Sequence, residues 1–247
     1  MRTLTAFVFA AVCWSQQPEF EVASIKPNNS GSSNSGFNRM AGGGLHANNV
    51  TFREMILFAY EFRDQQLIGA SGWMDNERYD VMAKPTQNDN PTGAKRSFDE
   101  DFRGLRVKTR ALLADRFKLS VHTETRELPI YALVVAKSGH HLQPTKSENL
   151  RINNRNGLVI CNKVTMQQFA ESTLTYKMGR IVVDKTGLTG EFDFELKYVE
   201  DKAAAAGDNS APDFLTVLRQ QLGLVLESQK GPVEVLVIDH AEKASVN

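Results

Sequence analysis

The chain contains one passage twice, and that duplication limits its possible folds more than any other feature. Leu112 to Lys137 reads LLADRFKLSVHTETRELPIYALVVAK, and Leu218 to Lys243 reads LRQQLGLVLESQKGPVEVLVIDHAEK. Each has a helical tail ending in bulky residue, spacer, Leu: Phe117-Lys118-Leu119 and Leu222-Gly223-Leu224. A hairpin is expected after each, with second strands Pro129 to Val135 and Pro232 to Ile238. Leu133-Val134-Val135 and Leu236-Val237-Ile238 are apolar on both faces, as buried central strands are.

An earlier passage recurs too. Val50 to Phe62 (VTFREMILFAYEF) reads as a helix, with Thr51 and Glu54 at capping-box spacing and Phe52, Met55, Ile56 and Ala59 on one face. Val164 to Lys197 repeats the Val-Thr start and the cap, as Thr165 and Gln168, and ends on Phe192-Asp193-Phe194 where the first copy has Tyr79-Asp80-Val81. Asn48 and Asn162 each stand two residues before the shared Val. The expected architecture is α+β: two tandem related units, each strand-helix-strand-strand-helix-strand-strand, with helices packed on a mixed or antiparallel sheet. The predicted segments are a signal peptide at 1–15, an N-terminal strand and flexible Asn/Ser/Gly loop at 16–44, a first unit at 45–137, a linker at 138–157 and a second unit at 158–247. The second helix of the second unit is expected to start at a Ser210/Asp213 capping box and to end at Gly223. Its counterpart has Lys118 at the position of Gly223 and should end more loosely.

At 247 residues each unit can bury a core of its own. Lys plus Arg equals Asp plus Glu at 29 each, so no overall field draws the chain to nucleic acid. Arg2, the apolar run Leu4 to Trp14 and the polar Ser15-Gln16-Gln17 have the order of an export signal. Export to the periplasm or beyond is therefore expected, with no transmembrane segment in the mature chain. Acylation of Cys13 is an alternative, which the bulky Val12 disfavours. Cleavage leaves Cys161 alone and no internal disulfide.

FEVASIKPN (20–28), LLADRFKL (112–119), ETRELPIYALVVAK (124–137), VVDKTGLTGEFDFEL (182–196) and GPVEVLVIDHAEK (231–243) resemble a family of uncharacterised exported proteins expanded in soil Acidobacteria, a domain of unknown function. The resemblance implies export and carries no catalytic residue. Some of its members are fused or adjacent to membrane-bound sensor metallopeptidases, which implies signalling at the envelope. The element order of each half also resembles the short N-terminal domain of secretins and TonB-dependent receptors, which implies a periplasmic protein-contact module.

Several strings carry chemistry on paper. Asp184 to Thr189 (DKTGLT) nearly spells the phosphorylated-aspartate motif of ion pumps but lacks its second Thr, and turn chemistry accounts for each residue. His140-His141, His46, His122 and His240 have no short ligand spacing for a metal. Asp239-His240 lacks an accompanying nucleophile, and Cys161 reads as a small strand residue. Asp80 and Asp193 hold one position in both copies. A twofold arrangement could join them as a carboxylate dyad, the alternative being a backbone-binding role for each. Trp73 reads as packing or as a ligand surface. No catalytic, cofactor-binding or metal-ligating residue is assigned. The expected function is a non-enzymatic binding module that engages another envelope protein or a wall component. The alternative is a hydrolase using Asp80 and Asp193, or a histidine-bound metal.

Overall fold

Thr51 starts the first helix as its spacing predicts: its hydroxyl accepts from the Glu54 N–H at 3.1 Å, and the Glu54 carboxylate accepts from the Thr51 N–H at 2.7 Å. The computed structural model describes residues 19–85, 98–155, 157–199 and 212–244. The leader with Cys13, the 86–97 connection and Ser210 lie outside the described residues. Two compact units form. One runs to Glu124 and resumes at Val235; the other spans Thr125–Glu234.

The first unit holds strands β1 (Phe20–Pro27), β2 (Gly36–Met40) and β3 (Gly44–Thr51), then helix α1 (Phe52–Tyr60). Strand β4 (Leu67–Ile68), a short helix α2 (Trp73–Asn76), β5 (Arg78–Pro85) and α3 (Phe98–Phe117) follow. Its antiparallel sheet has the order β1-β5-β3-β2. Alternation sorts the faces: Ile25, Ala47, Val81 and Ala83 are buried, while Lys26 and Met82 are exposed and His46 is half-buried. Phe52, Phe117, Met55 and Ile56 complete the core beneath, with the Phe52 and Phe117 rings 4.5 Å apart.

Strand β6 (Ser120–Val135) begins in this unit and ends in the second, where β7 (Gln143–Pro144), β8 (Arg151–Arg155) and β9 (Leu158–Val164) come next. Helix α4 (Met166–Gln168) carries the second predicted capping box, Thr165 with Gln168. It widens through a π turn at Phe169–Leu174 into α5 (Thr175–Met178), and the buried Thr175 hydroxyl accepts the Val182 N–H at 2.9 Å. Then come β10 (Val182–Asp184), β11 (Phe192–Lys197), α6 (Phe214–Val217) running into a π turn at Leu218–Leu222, and β12 (Leu224–His240), whose last residues lie in the first unit. The antiparallel sheet here has the order β7-β11-β9-β8. In the first unit β4 pairs in parallel with the end of β12; in the second, β10 pairs in parallel with β6.

The α+β class stands, but several local expectations change. The two expected hairpins are each one unbroken strand. No positive-φ residue interrupts 120–135, and Gly231 is a close-approach position whose added Cβ would lie 2.6 Å from the Ile130 side chain. As a result Leu133 packs in the second unit's core and Leu236 in the first unit's core, the reverse of the expected placement. The predicted linker 138–157 contributes β7 and β8, and the predicted flexible loop contributes β2. Asp213 is the N-cap of α6, accepting from the Thr216 N–H at 2.9 Å, where the sequence reading placed it three residues inside the helix. The first unit places three strands before its first helix, and the second has β7, β8 and β9 between β6 and α4, which is not the order on which the likeness to the secretin domain rests. Lys118 adopts φ +51 against φ +67 at Gly223, so both helices close on a left-handed backbone conformation.

Candidate functional site

Asp80 and Asp193 each serve the backbone of their own unit. Asp80 Oδ1 accepts from Asn28 Nδ2 at 2.7 Å and from the Asn49 N–H at 2.9 Å. Asn28 and Asn49 together hold its carboxyl below the usual carboxylate range. Asp193 Oδ1 accepts from Thr145 Oγ1 at 2.6 Å and the Lys163 N–H at 2.8 Å, while Oδ2 accepts from the Lys146 N–H and Ser147 Oγ. The Thr145 hydroxyl, then the Lys146 and Lys163 amides, depress it strongly. A shared proton needs one carboxyl raised, and both are lowered, which opposes the dyad reading. Each carboxylate holds the N–H of a left-handed residue, Asn49 or Lys163, both at φ +53.

Other sequence candidates have structural partners as well. Cys161 is fully buried, and burial pushes its thiol up to about 12. Asp184 Oδ1 takes the Thr186 N–H and hydroxyl at 2.9 and 2.8 Å, an ordinary turn. Trp73 stacks on Phe52 with ring centroids 4.9 Å apart. His122 Nδ1 lies 2.8 Å from Asp239 Oδ1, and His240 Nε2 lies 3.0 Å from Glu242. Among the described residues no three His, Cys, Asp or Glu side chains converge as metal ligands.

What the sequence reading passed over is a groove of about 440 Å³ on the outer face of the first unit's sheet. Its floor takes alternate residues of three strands: Ser24 and Lys26 from β1, Met82 and Asp80 from β5, His46 and Asn48 from β3. Its wall is the 28–34 loop, which folds by successive side-chain turns. The Ser30 N–H donates to Asn28 Oδ1, the Ser32 N–H to Ser30 Oγ, and the Asn34 N–H to Ser32 Oγ.

Asn49 joins wall to floor. It sits at a bulge where β3 shifts register against β5, between Ala47 and Val50, and it is 2% exposed. Its Nδ2 donates to the carbonyls of Ser32 at 2.6 Å and Asn34 at 3.1 Å, which fixes the nitrogen end of the amide. Its Oδ1 is buried with no hydrogen-bond partner. A buried acceptor left empty costs about 1–3 kcal/mol. Lys163, the other left-handed residue whose N–H an aspartate holds, has its Nζ donating to the Glu148 carbonyl. The sequence signal for the site is Asn48-Asn49 before a capping threonine, since Asn is among the few non-glycine residues that tolerate a left-handed backbone.

The fold and site describe an α+β protein with a polar groove built on a bulged sheet. Residues 53–241 match the model of a family described as a protein of unknown function (DUF3738), and the chain belongs to that family. No curated protein and no solved structure matches it. No helix among the described residues is long and apolar enough to cross a membrane.

Proposed function

We propose that this protein is an exported binding module of the cell envelope or secreted fraction whose ligand seat is the Asn49 groove. The observation that carries the reading is the polar groove of about 440 Å³, whose wall, the 28–34 loop, is tied to the sheet by Asn49 Nδ2. Its serine hydroxyls and asparagine amides both donate and accept, and a loop already held in place loses little freedom when a polar ligand binds. The chemistry of the strongest catalytic candidates agrees: both aspartates are held ionised by local donors, and the Cys161 thiol is buried and protonated at neutral pH.

We further propose that the two halves descend from one unit beginning at β1. The two sheet orders correspond strand for strand, and Ile25-Lys26-Pro27-Asn28-Asn29-Ser30 corresponds to Leu142-Gln143-Pro144-Thr145-Lys146-Ser147. On this reading position 49 diverged: the second copy has Lys163, whose Nζ donates to the Glu148 carbonyl, and the first has Asn49, whose Nδ2 ties down the 28–34 loop.

Amide resonances of the isotope-labelled protein, followed against fractionated wall and envelope components, test the binding role. Shifts confined to Asn28, Asn34, Asn49 and Asp80 are expected, and Ser24→Phe, which fills the groove from a half-buried strand position, should remove them. Shifts that survive Ser24→Phe refute the groove as the seat. Mass spectrometry of the periplasmic and secreted protein tests export, with a product lacking the leader expected and an intact chain confined to the cytoplasm refuting it.

A further inference from the structure

The sheet of the first unit ends on β1, which among the described residues pairs only with β5. A trough of about 520 Å³ follows the other edge of β1, bounded by Ala111, Leu112, Asp115 and Arg116 of α3. Side chains alternate along a strand, so a cavity that meets every residue from Glu19 to Ala23 runs along the backbone rather than over one face. We propose that this trough takes an extended, basic polypeptide segment of another protein as an added strand. It is a protein-contact surface, separate from the Asn49 groove and independent of it.

The register fixes which backbone groups are on offer. The Asn28 N–H donates to the Arg78 carbonyl at 2.7 Å, and the same register pairs Lys26 with Asp80, Ser24 with Met82 and Val22 with Lys84. Directly bonded pairs recur at every second residue of an antiparallel ladder, so Lys26, Ser24 and Val22 turn their N–H and C=O toward β5. Ile25 and Ala23 turn theirs away from it, and Ala23 lines the trough. A bulge between Phe20 and Val22 bounds this run on one side and Pro27 on the other, and the ladder between them is regular.

Shape and charge select the occupant. Ile25 and Leu112 share one core cluster, so α3 already covers the inner face of the sheet at this edge. A second copy would bring its own α3 to the same place, whereas a lone strand needs only the trough. Every second side chain of that strand meets Ala111 and Leu112, which calls for apolar residues at alternate positions. Between them, Glu19 and Glu21 are exposed and make no ion pair among the described residues, while Asp115 and Arg116 pair with each other at 3.0 Å. The unbalanced charge along the trough is therefore negative, and Lys or Arg complements it.

Amide hydrogen exchange of the isotope-labelled protein tests this with two short blocked peptides, one alternating Val with Lys and the other Val with Glu. In the free protein the Ser24 amide should exchange slowly and the Ala23 and Ile25 amides fast. The Val-Lys peptide should slow Ala23 and Ile25 roughly tenfold or more, and the Val-Glu peptide should leave them unchanged. Ala23→Pro removes an outward N–H and no bond to β5, and should weaken Val-Lys binding roughly tenfold. Two further variants decide the matter should Ala23→Pro fail to fold. Ala111→Trp fills the trough from the helix and should abolish binding, and joint Glu19→Gln and Glu21→Gln, at exposed positions, should weaken it. Slow exchange of Ala23 and Ile25 in the free protein overturns the proposal. If that slowing grows with protein concentration, a second copy is the occupant; if it does not, the edge is closed. Protection by neither peptide, equal protection by both, or protection that survives Ala111→Trp overturns it as well.

Discussion

Replacing Gly223 by Ala should be among the most damaging single-methyl changes in the second unit. Gly223 has φ +67, and a Cβ there would sit 2.1 Å from the Gly139 carbonyl oxygen and 2.8 Å from His140 Cα. These neighbours are backbone and have no rotamer with which to move aside. The 136–141 turn must shift, and it is held by the Ala136 N–H donating to the Gly223 carbonyl at 2.8 Å and the His141 N–H donating to Leu222 at 3.0 Å. A left-handed alanine costs about 1 kcal/mol and each weakened bond about another, so with lost packing the total is about 3–5 kcal/mol. Lys118, at φ +51, closes the corresponding helix of the first unit, and Lys118→Gly should stabilise by about 1 kcal/mol. In urea denaturation followed by circular dichroism, Gly223→Ala should lower the midpoint by about 1.5–2.5 M at a slope of about 2 kcal/mol/M. A loss no larger than about 1 kcal/mol would show that backbone approach does not govern this position.

Phe117→Ala removes a fully buried ring packed against Phe52, Tyr79 and Trp73, and should cost about 3–5 kcal/mol and flatten the near-ultraviolet signal of Trp73. A loss under about 1 kcal/mol would contradict the first unit's core. In a Cys13→Ser background, Cys161 should react with a thiol reagent at neutral pH only on unfolding, because the thiol is buried and its pKa lies near 12; native-state labelling at the rate of a free thiol contradicts this. Asp80 and Asp193 are both lowered in the folded state, so each contributes stability above its unfolded value, and that contribution disappears as pH falls from about 4 through the folded values. Asp193→Asn should therefore be less stable at neutral pH and show a shallower acid slope than wild type, and equal slopes would remove Asp193 from the acid transition.

Local code made the elements legible. The two capping boxes, the apolar face of α1 and the alternation along β1 and β5 act over a few residues, so the sequence displays them directly. The groove was less legible because its parts are neutral polar residues. Asn28, Ser32 and Asn34 read as a loop unable to bury apolar surface, and the loop is instead ordered by side-chain turns and by Asn49 Nδ2. The carboxylates were found by their matched positions, but their role depends on donors brought from Asn28, far along the chain, and from the 145–147 turn.

By itself the amino-acid order determined the α+β class, the helix starts at Thr51 and Thr165, and the backbone-binding alternative for Asp80 and Asp193, because capping, periodicity and matched spacing are local properties. Tertiary structure alone decided that β6 and β12 run unbroken and that Leu133 and Leu236 enter cores other than the expected ones. A Gly-Pro pair reads locally as a turn, yet at Gly231 the missing Cβ admits the Ile130 side chain. The same holds for Asn49: its left-handed backbone is local chemistry, whereas the buried oxygen without a donor exists only once the loop, the bulge and the sheet have closed around it.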